Sequence, residues 1–349
     1  MEYRQLGRSG LLISTLTLGT MGFGAGGKFR DVAEIDLDGA TRQVDVALDA
    51  GVNLIDTSDA YTDGASEEII GRILEGRRDR MLIATKARFP TGTGPNDEGL
   101  SRHHLIAACE ASLRRLRTDH IDLYQVHQWD GLTPLEETLA ALDDLVRAGK
   151  IRYVGASNFA GWQIMKALGI ADRAGLTRFV SHQVFLSLEE RSSEYEIVPS
   201  AIDQGVGLLL WSPLAGGLLS GKYRRGEPAP PGSRRAGEWT EPPVYEEERL
   251  YDTVDVLREI GGVHDVSPSQ VAIAWLLARP GVTSAIVGAR NTEQLTDTLA
   301  AASLELSVEE HRRLDEVSRP PLLYPFWHQR DSASARLGKA DLSLIGPYL

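Results

Sequence analysis

The sequence predicts an α/β fold: a single (β/α)8 TIM barrel with its active site at the C-terminal rim of the strands. Three observations predict it. Eight short runs are β-rich and almost continuously apolar, as strands covered on both faces should be. Helical patterns of period 3.6 separate most of them. Strand and helix alternate, which implies right-handed crossovers and a parallel sheet. An open doubly wound sheet is the architectural alternative, and eight repeats of the unit favour closure.

The strands read in order as TLTLGT, VNLIDT, MLIATK, IDLYQVH, IRYVGAS, FVSHQVF, VGLLLWS and TSAIVGA. Between the first six and the seventh lie helical patterns at DLDGATRQVDVALDAG, SEEIIGRILEG, SRHHLIAACEASLRRLR, PLEETLAALDDLVRAGK, AGWQIMKALGIADRAG and YEIVPSAIDQG. After the seventh strand come EEERLYDTVDVLREIG and SPSQVAIAWLLARPG, where Ser267 and Pro268 suit an N-cap and a first helical residue. Gly51, Gly149, Gly175 and Gly205 follow helices, as C-termini prefer. One domain is expected over residues 1–349, with a long loop at about 214–243 and an irregular tail from about 319.

Composition narrows the function. The chain of 349 residues is 42% hydrophobic and 25% charged, the balance of a globular protein. Its net charge of −12 argues against nucleic acid as a partner, though a local basic pocket for a small phosphate is compatible with it. The single Cys109 lies in a helical pattern and excludes an internal disulfide framework. No run is apolar enough to span a membrane, and MEYRQLGRSG lacks the apolar core of a signal peptide, so a cytoplasmic location is expected. His103, His104 and Glu110 form no convincing metal pattern. Oligomeric state is not legible.

Barrel enzymes place their chemistry at the C-terminal ends of the strands. Asp56 ends the second strand, Lys86 the third and His127 the fourth, while Tyr61 stands in the loop after the second. Each alone has an ordinary structural reading, as a cap, a solvated amine, a local hydrogen-bond partner or a packed ring. Together they converge on one rim.

At these residues the sequence resembles the aldo-keto reductase superfamily. LGTMGFG, NLIDTSDAY, ATK, YQVH, GASN, WSPLAGGLLSGKY and IVGARN carry the resemblance over nearly the whole chain. It is nearest to the branch of bacterial reductases and potassium-channel β subunits. The resemblance implies reversible hydride transfer between NADPH and an aldehyde or ketone, with Asp56, Tyr61, Lys86 and His127 as the catalytic tetrad. The chemistry suits those types. A carbonyl reduced by hydride needs a proton donor at its oxygen, here Tyr61. Lys86, held by Asp56, is expected to lower the phenol pKa. His127 can donate a hydrogen bond to the carbonyl oxygen. The alternative is a nucleotide-sensing regulatory subunit like the channel β subunits.

GFGAGG at residues 22–27 matches a dinucleotide fingerprint but does not open a helix at once, so it is expected to be a loop at the barrel mouth. Ser157, Asn158 and Gln183 carry groups that can pair with a nicotinamide carboxamide, and Trp211 offers a face for stacking. Ser212, Pro213, Leu214 and Gly216 begin a small-residue segment with backbone N–H groups suited to pyrophosphate, and Lys222 adds a charge. The resemblance adds Gly19, Thr20, Met21 and Asp56 to the cofactor contacts. It also implies Gly288, Arg290 and Gln294 at the adenosine 2′-phosphate, Asp297 near the adenine, and Arg234 or Arg235 over the pyrophosphate. Phe23, Phe29, Phe89, Trp129 and the tail aromatics Tyr324, Phe326 and Trp327 are candidates for an apolar substrate mouth.

Overall fold

The computed structural model describes residues 1–24, 34–231, 233–237 and 241–349. A two-stranded antiparallel hairpin, β1 (Tyr3–Gln5) and β2 (Leu12–Ser14), precedes the barrel. The barrel strands are β3 (Leu16–Gly19), β4 (Leu54–Asp56), β5 (Leu82–Ala87), β6 (Ile121–Val126), β7 (Ile151–Ser157), β8 (Ser181–Phe185), β9 (Gly207–Trp211) and β10 (Val282–Val287). They pair in parallel in chain order, and β10 closes onto β3. Each lies within one of the eight expected runs or extends a single residue beyond it. Closure excludes the open sheet.

The helices are α1 (Leu37–Asp49), α2 (Ala65–Ile73), α3 (Arg102–Leu116), α4 (Leu135–Arg147), α5 (Gly161–Ala174), α6 (Ser193–Gln204), α7 (Glu247–His264), α8 (Pro268–Leu277), α9 (Thr292–Ala300), α10 (Val308–Ser318), α11 (Phe326–Ala333) and α12 (Lys339–Ile345). Ser267 caps α8 by accepting from Gln270 N, with Pro268 first in the helix, as anticipated. The stretch from Arg319, expected to be irregular, instead carries α11 and α12. Leu344 and Ile345 are buried, so a hydrophobic anchor fixes this segment despite its four prolines.

The core has two compartments. The larger lies between the barrel wall and the helices, and it takes in the wholly buried Phe23 and Cys109. The smaller lies inside the barrel, where Leu6 and Ile13 of the hairpin segment meet Leu54, Ala84, Leu123 and Leu209. The hairpin therefore plugs the N-terminal end. Gly7 makes this possible: its φ is +58°, and a Cβ there would stand 2.4 Å from Val180 O. Only glycine fits so close an approach.

Candidate active site

Side chains of a strand alternate between two faces, so residues two apart share a side. Leu54, Ala84 and Leu123 form the dry interior layer; two positions further along stand Asp56, Lys86 and Gln125. The interior thus changes from apolar to polar within one step. Lys86 Nζ is wholly buried and donates to Asp56 Oδ2 at 2.6 Å, to Thr57 O at 2.8 Å and to Tyr61 OH at 3.3 Å. Asp56 Oδ1 accepts from Gln183 Nε2 at 2.8 Å and from Gln125 Nε2 at 3.4 Å. A buried ion pair survives only when its remaining hydrogen-bonding positions are satisfied, and these are.

A sharp turn delivers Tyr61. Its N–H donates to Ser58 O, and Thr62 and Asp63 follow with φ of 50° and 53°, both left-handed. Ser66 pins the start of α2 by bonding Thr20 O and Thr20 Oγ1. His127 follows β6 directly, with its N–H on Ala87 O. Its ring lies edge-on to Tyr61 at 5.9 Å and to Phe89 at 4.7 Å between centroids. The four expected residues are brought together.

One electrostatic expectation is corrected. Burial pushes the Tyr61 hydroxyl above its ordinary value; the Lys86 ammonium opposes this, and the Asp56 carboxylate reinforces it. Lys86 does favour the phenolate, but desolvation outweighs it, so Tyr61 is a neutral phenol at neutral pH. Burial also works against the charge on Lys86. Asp56 and then Tyr61 overcome it, and the ammonium is held above its usual range.

The other half of the rim is arranged differently. Ser157 Oγ is buried and has no hydrogen-bond partner among the described residues. Asn158, at φ 55°, donates from Nδ2 to His127 O and accepts from Trp211 Nε1 at 3.0 Å. Trp211 stacks on Phe185 at 4.8 Å. Gly216 and Gly217 have φ of 65° and 97°, and a Cβ on Gly217 would meet Lys222 Nζ at 3.1 Å. Lys222 is lowered by burial and by repulsion from Arg290 and Arg234; Arg234 is lowered by burial and by Arg290. Among the described residues neither Lys222 nor Arg234 pairs with a carboxylate. In a chain of net charge −12, three cations crowded beside a glycine turn fit a polyanionic group. Asn291 caps α9, and Gln294 Oε1 accepts from Arg290 N, which sets these residues at a helix N-terminus.

Other expected residues lie elsewhere or have further partners. Asp297 accepts from Ser267 Oγ and Gln270 Nε2, securing the start of α8. Arg235 donates to Pro242 O. Phe23 is enclosed in the outer core rather than open at a mouth. Phe29 and the second half of GFGAGG, residues 25–27, lie outside the described residues. Phe89 does face His127, whereas Trp129 packs on Phe159 and Trp162. Phe326 stacks on Tyr195 of α6, and Trp327 lies against Tyr324 and His328. Gln125, Ser58 and Asp59 were not singled out from sequence, although all three touch the assembly.

The fold and the site together define a closed parallel barrel with a buried lysine–carboxylate pair set against a tyrosine at its strand ends. The aldo/keto reductase family model matches residues 15–319, and the chain belongs to that family. It is 40% identical over 334 residues to the uncharacterized oxidoreductase YrpG of Bacillus subtilis, covering 92% of this chain and 97% of that one. Versiconal hemiacetal acetate reductase of Aspergillus parasiticus is 34% identical over 349 residues, covering 93% and 99%. A probable voltage-gated potassium channel subunit beta of Arabidopsis thaliana is 37% identical over 315 residues, covering 87% and 92%. No helix among the described residues is long and apolar enough to cross a membrane.

Proposed function

We propose that this chain is an NADPH-dependent carbonyl reductase, built as one barrel domain and working in the cytoplasm on a small aldehyde or ketone. The observation that carries the reading is the contact of Lys86 Nζ with both Asp56 and Tyr61 at the rim, beside the His127 ring. A bound reduced nicotinamide supplies the hydride. Tyr61, neutral at neutral pH, donates its proton to the carbonyl oxygen as negative charge develops there. Lys86 stabilises the phenolate this leaves, and Asp56 holds Lys86 in place and charged. His127 orients and polarises the same oxygen.

Gly19, Thr20, Met21, Ser157, Asn158, Gln183 and Trp211 would hold the nicotinamide end. The segment from Ser212 to Lys222 with Arg234 would take the pyrophosphate, and Gly288, Arg290 and Gln294 the 2′-phosphate. A regulatory, nucleotide-sensing role agrees with the relation to a channel β subunit, but binding alone has no need of a poised phenol. The test is oxidation of NADPH by the purified protein with 4-nitrobenzaldehyde. Tyr61→Phe keeps the ring and deletes the donor, so kcat is expected to fall by ~10²-fold or more with cofactor affinity little changed. Turnover by this variant at the wild-type rate would remove Tyr61 from the mechanism.

A further inference from the structure

Between Asp56 and Tyr61 the chain places two more polar residues, Ser58 and Asp59, and both are enclosed: their relative exposures are 0% and 2%. Ser58 Oγ accepts from Ala60 N at 3.2 Å, and lies 3.1 Å from Asp59 Oδ1 and 3.1 Å from His127 Nδ1. A serine hydroxyl has one hydrogen and two lone pairs. Ala60 fills one lone pair. The remaining lone pair and the single hydrogen must serve the other two neighbours, one each.

Two arrangements satisfy this. If Asp59 is a carboxylate, Ser58 donates to it and accepts from Nδ1–H, so a neutral ring has no hydrogen on Nε2. If the trio carries one more proton, Asp59 donates to Ser58 and Ser58 donates to Nδ1, which places the ring hydrogen on Nε2. Passing that extra proton along the wire to Nδ1 leaves Nε2 protonated too, so the protonated trio has Nε2–H in every form.

We propose that Ser58 and Asp59 are positioning residues that set the tautomer of His127, presenting Nε2–H only while the wire holds its extra proton. The idea rests on the reading of His127 as the hydrogen-bond donor to the carbonyl oxygen. The surroundings favour the protonated arrangement near neutrality. Asp59 Oδ2 is buried with no hydrogen-bond partner among the described residues, a costly place for a carboxylate. Facing Asp59 are the Glu67 carboxylate of α2, the Arg115 guanidinium of α3, Tyr61 in the following turn and Tyr124 of β6; its N–H is held by Lys86 O, and Ser58 links it to His127. Glu67 spends its own oxygens on Thr85 and Arg115. Burial, then the repulsion of Glu67, pushes the Asp59 carboxyl up to about 8, against the weaker pull of Ser58, Arg115 and Ala60 N–H. The sign follows directly: below that pH the proton is present and Nε2 donates; above it the net loss is one proton and the donor disappears.

The experiment is ¹⁵N NMR of histidine-labelled, substrate-free protein between about pH 6 and about pH 10, with His127 assigned by substitution. The expected wild-type result is Nε2–H at the acid end and Nδ1–H at the alkaline end. The rate of carbonyl reduction should fall ~10²-fold over the same interval, the usual cost of one lost oxyanion donor. Asp59→Asn removes the titrating carboxyl, so His127 should hold a single tautomer throughout and the alkaline fall in rate should vanish, whatever the absolute rate. Ser58→Ala should uncouple the ring from Asp59 and likewise abolish the switch. An Asp59→Asn protein that switches like the wild type, or a wild-type ring with one tautomer throughout, overturns the proposal. Because the tautomer is read without substrate, a protein that switched as expected but reduced no carbonyl would support the wire and count against the reductase reading alone.

Discussion

The two halves of the barrel rim are built on opposite electrostatic principles. At the ends of β4 and β5 the charges are matched: Lys86 has Asp56 at 2.6 Å, and the amides of Gln183 and Gln125 complete the carboxylate. Near the end of β9 and the start of α9 they are mismatched, with Lys222 and Arg234 repelled by Arg290 and by burial. A matched cluster is finished by folding. Cations that repel one another in a mismatched cluster suit an anion. On the function proposed above, the first half would act and the second would bind.

The largest effect that would test this contrast comes from breaking the matched half. Lys86→Met keeps the aliphatic stem and deletes the charge, so carbonyl reduction should fall by ~10²–10⁴-fold, the range of acid–base catalysis. Leaving Asp56 buried alone should also lower stability by ~3–5 kcal/mol, measured by denaturant unfolding. Adding Asp56→Asn to Lys86→Met should restore much of the stability and none of the rate. Full activity in either variant would make the pair structural.

A smaller effect is expected in the mismatched half. NADPH should be preferred over NADH by at least ~10-fold in kcat/KM, since charge-assisted hydrogen bonds contribute about 1.5–3 kcal/mol each. Arg290→Ala should erase most of that gap by weakening NADPH while barely touching NADH. Equal loss for both coenzymes would place Arg290 at the pyrophosphate or in the scaffold instead. The smallest effect sharpens the contrast at a single atom. Ser157→Ala removes a hydroxyl that has no protein partner, so thermal unfolding should be unchanged within about 0.5 kcal/mol, while the dissociation constant for the coenzyme rises ~5–10-fold. Destabilisation without loss of coenzyme binding would show that Ser157 serves packing.

What was legible in the sequence follows the range of the forces involved. The eight barrel strands show as apolar runs, because both faces of each are covered. The convergence of Asp56, Tyr61, Lys86 and His127 follows once strand ends share a rim. The hairpin did not show, since its strands have three residues each and the intervening LGRSGL reads as loop. Helices α11 and α12 were hidden by Pro320, Pro321 and Pro325, and their place depends on burial of Leu344 and Ile345, a tertiary effect. The direction of the Tyr61 shift was misjudged for a related reason. A neighbouring lysine can be inferred from spacing, but depth cannot, and depth dominates. Ser58 and Asp59 were not singled out, because nothing in NLIDTSDAY shows that the turn brings Ser58 Oγ to 3.1 Å from His127 Nδ1.

The hairpin that stops the lower end of the barrel has a consequence for the opposite end. Leu6 and Ile13 exclude water from beneath Leu54, Ala84 and Leu123, and the Lys86–Asp56 pair rests on that layer. The strength of a charge pair scales inversely with the local dielectric constant, so water rising through the barrel would weaken the hold of Lys86 on Tyr61. The plug therefore acts as electrical insulation, and its contact at Gly7, 2.4 Å from Val180 O for any added Cβ, is the seam of that insulator. A stopped lower end also leaves the upper rim as the open end of the barrel interior, so on the proposed function coenzyme and carbonyl would share one side of the molecule.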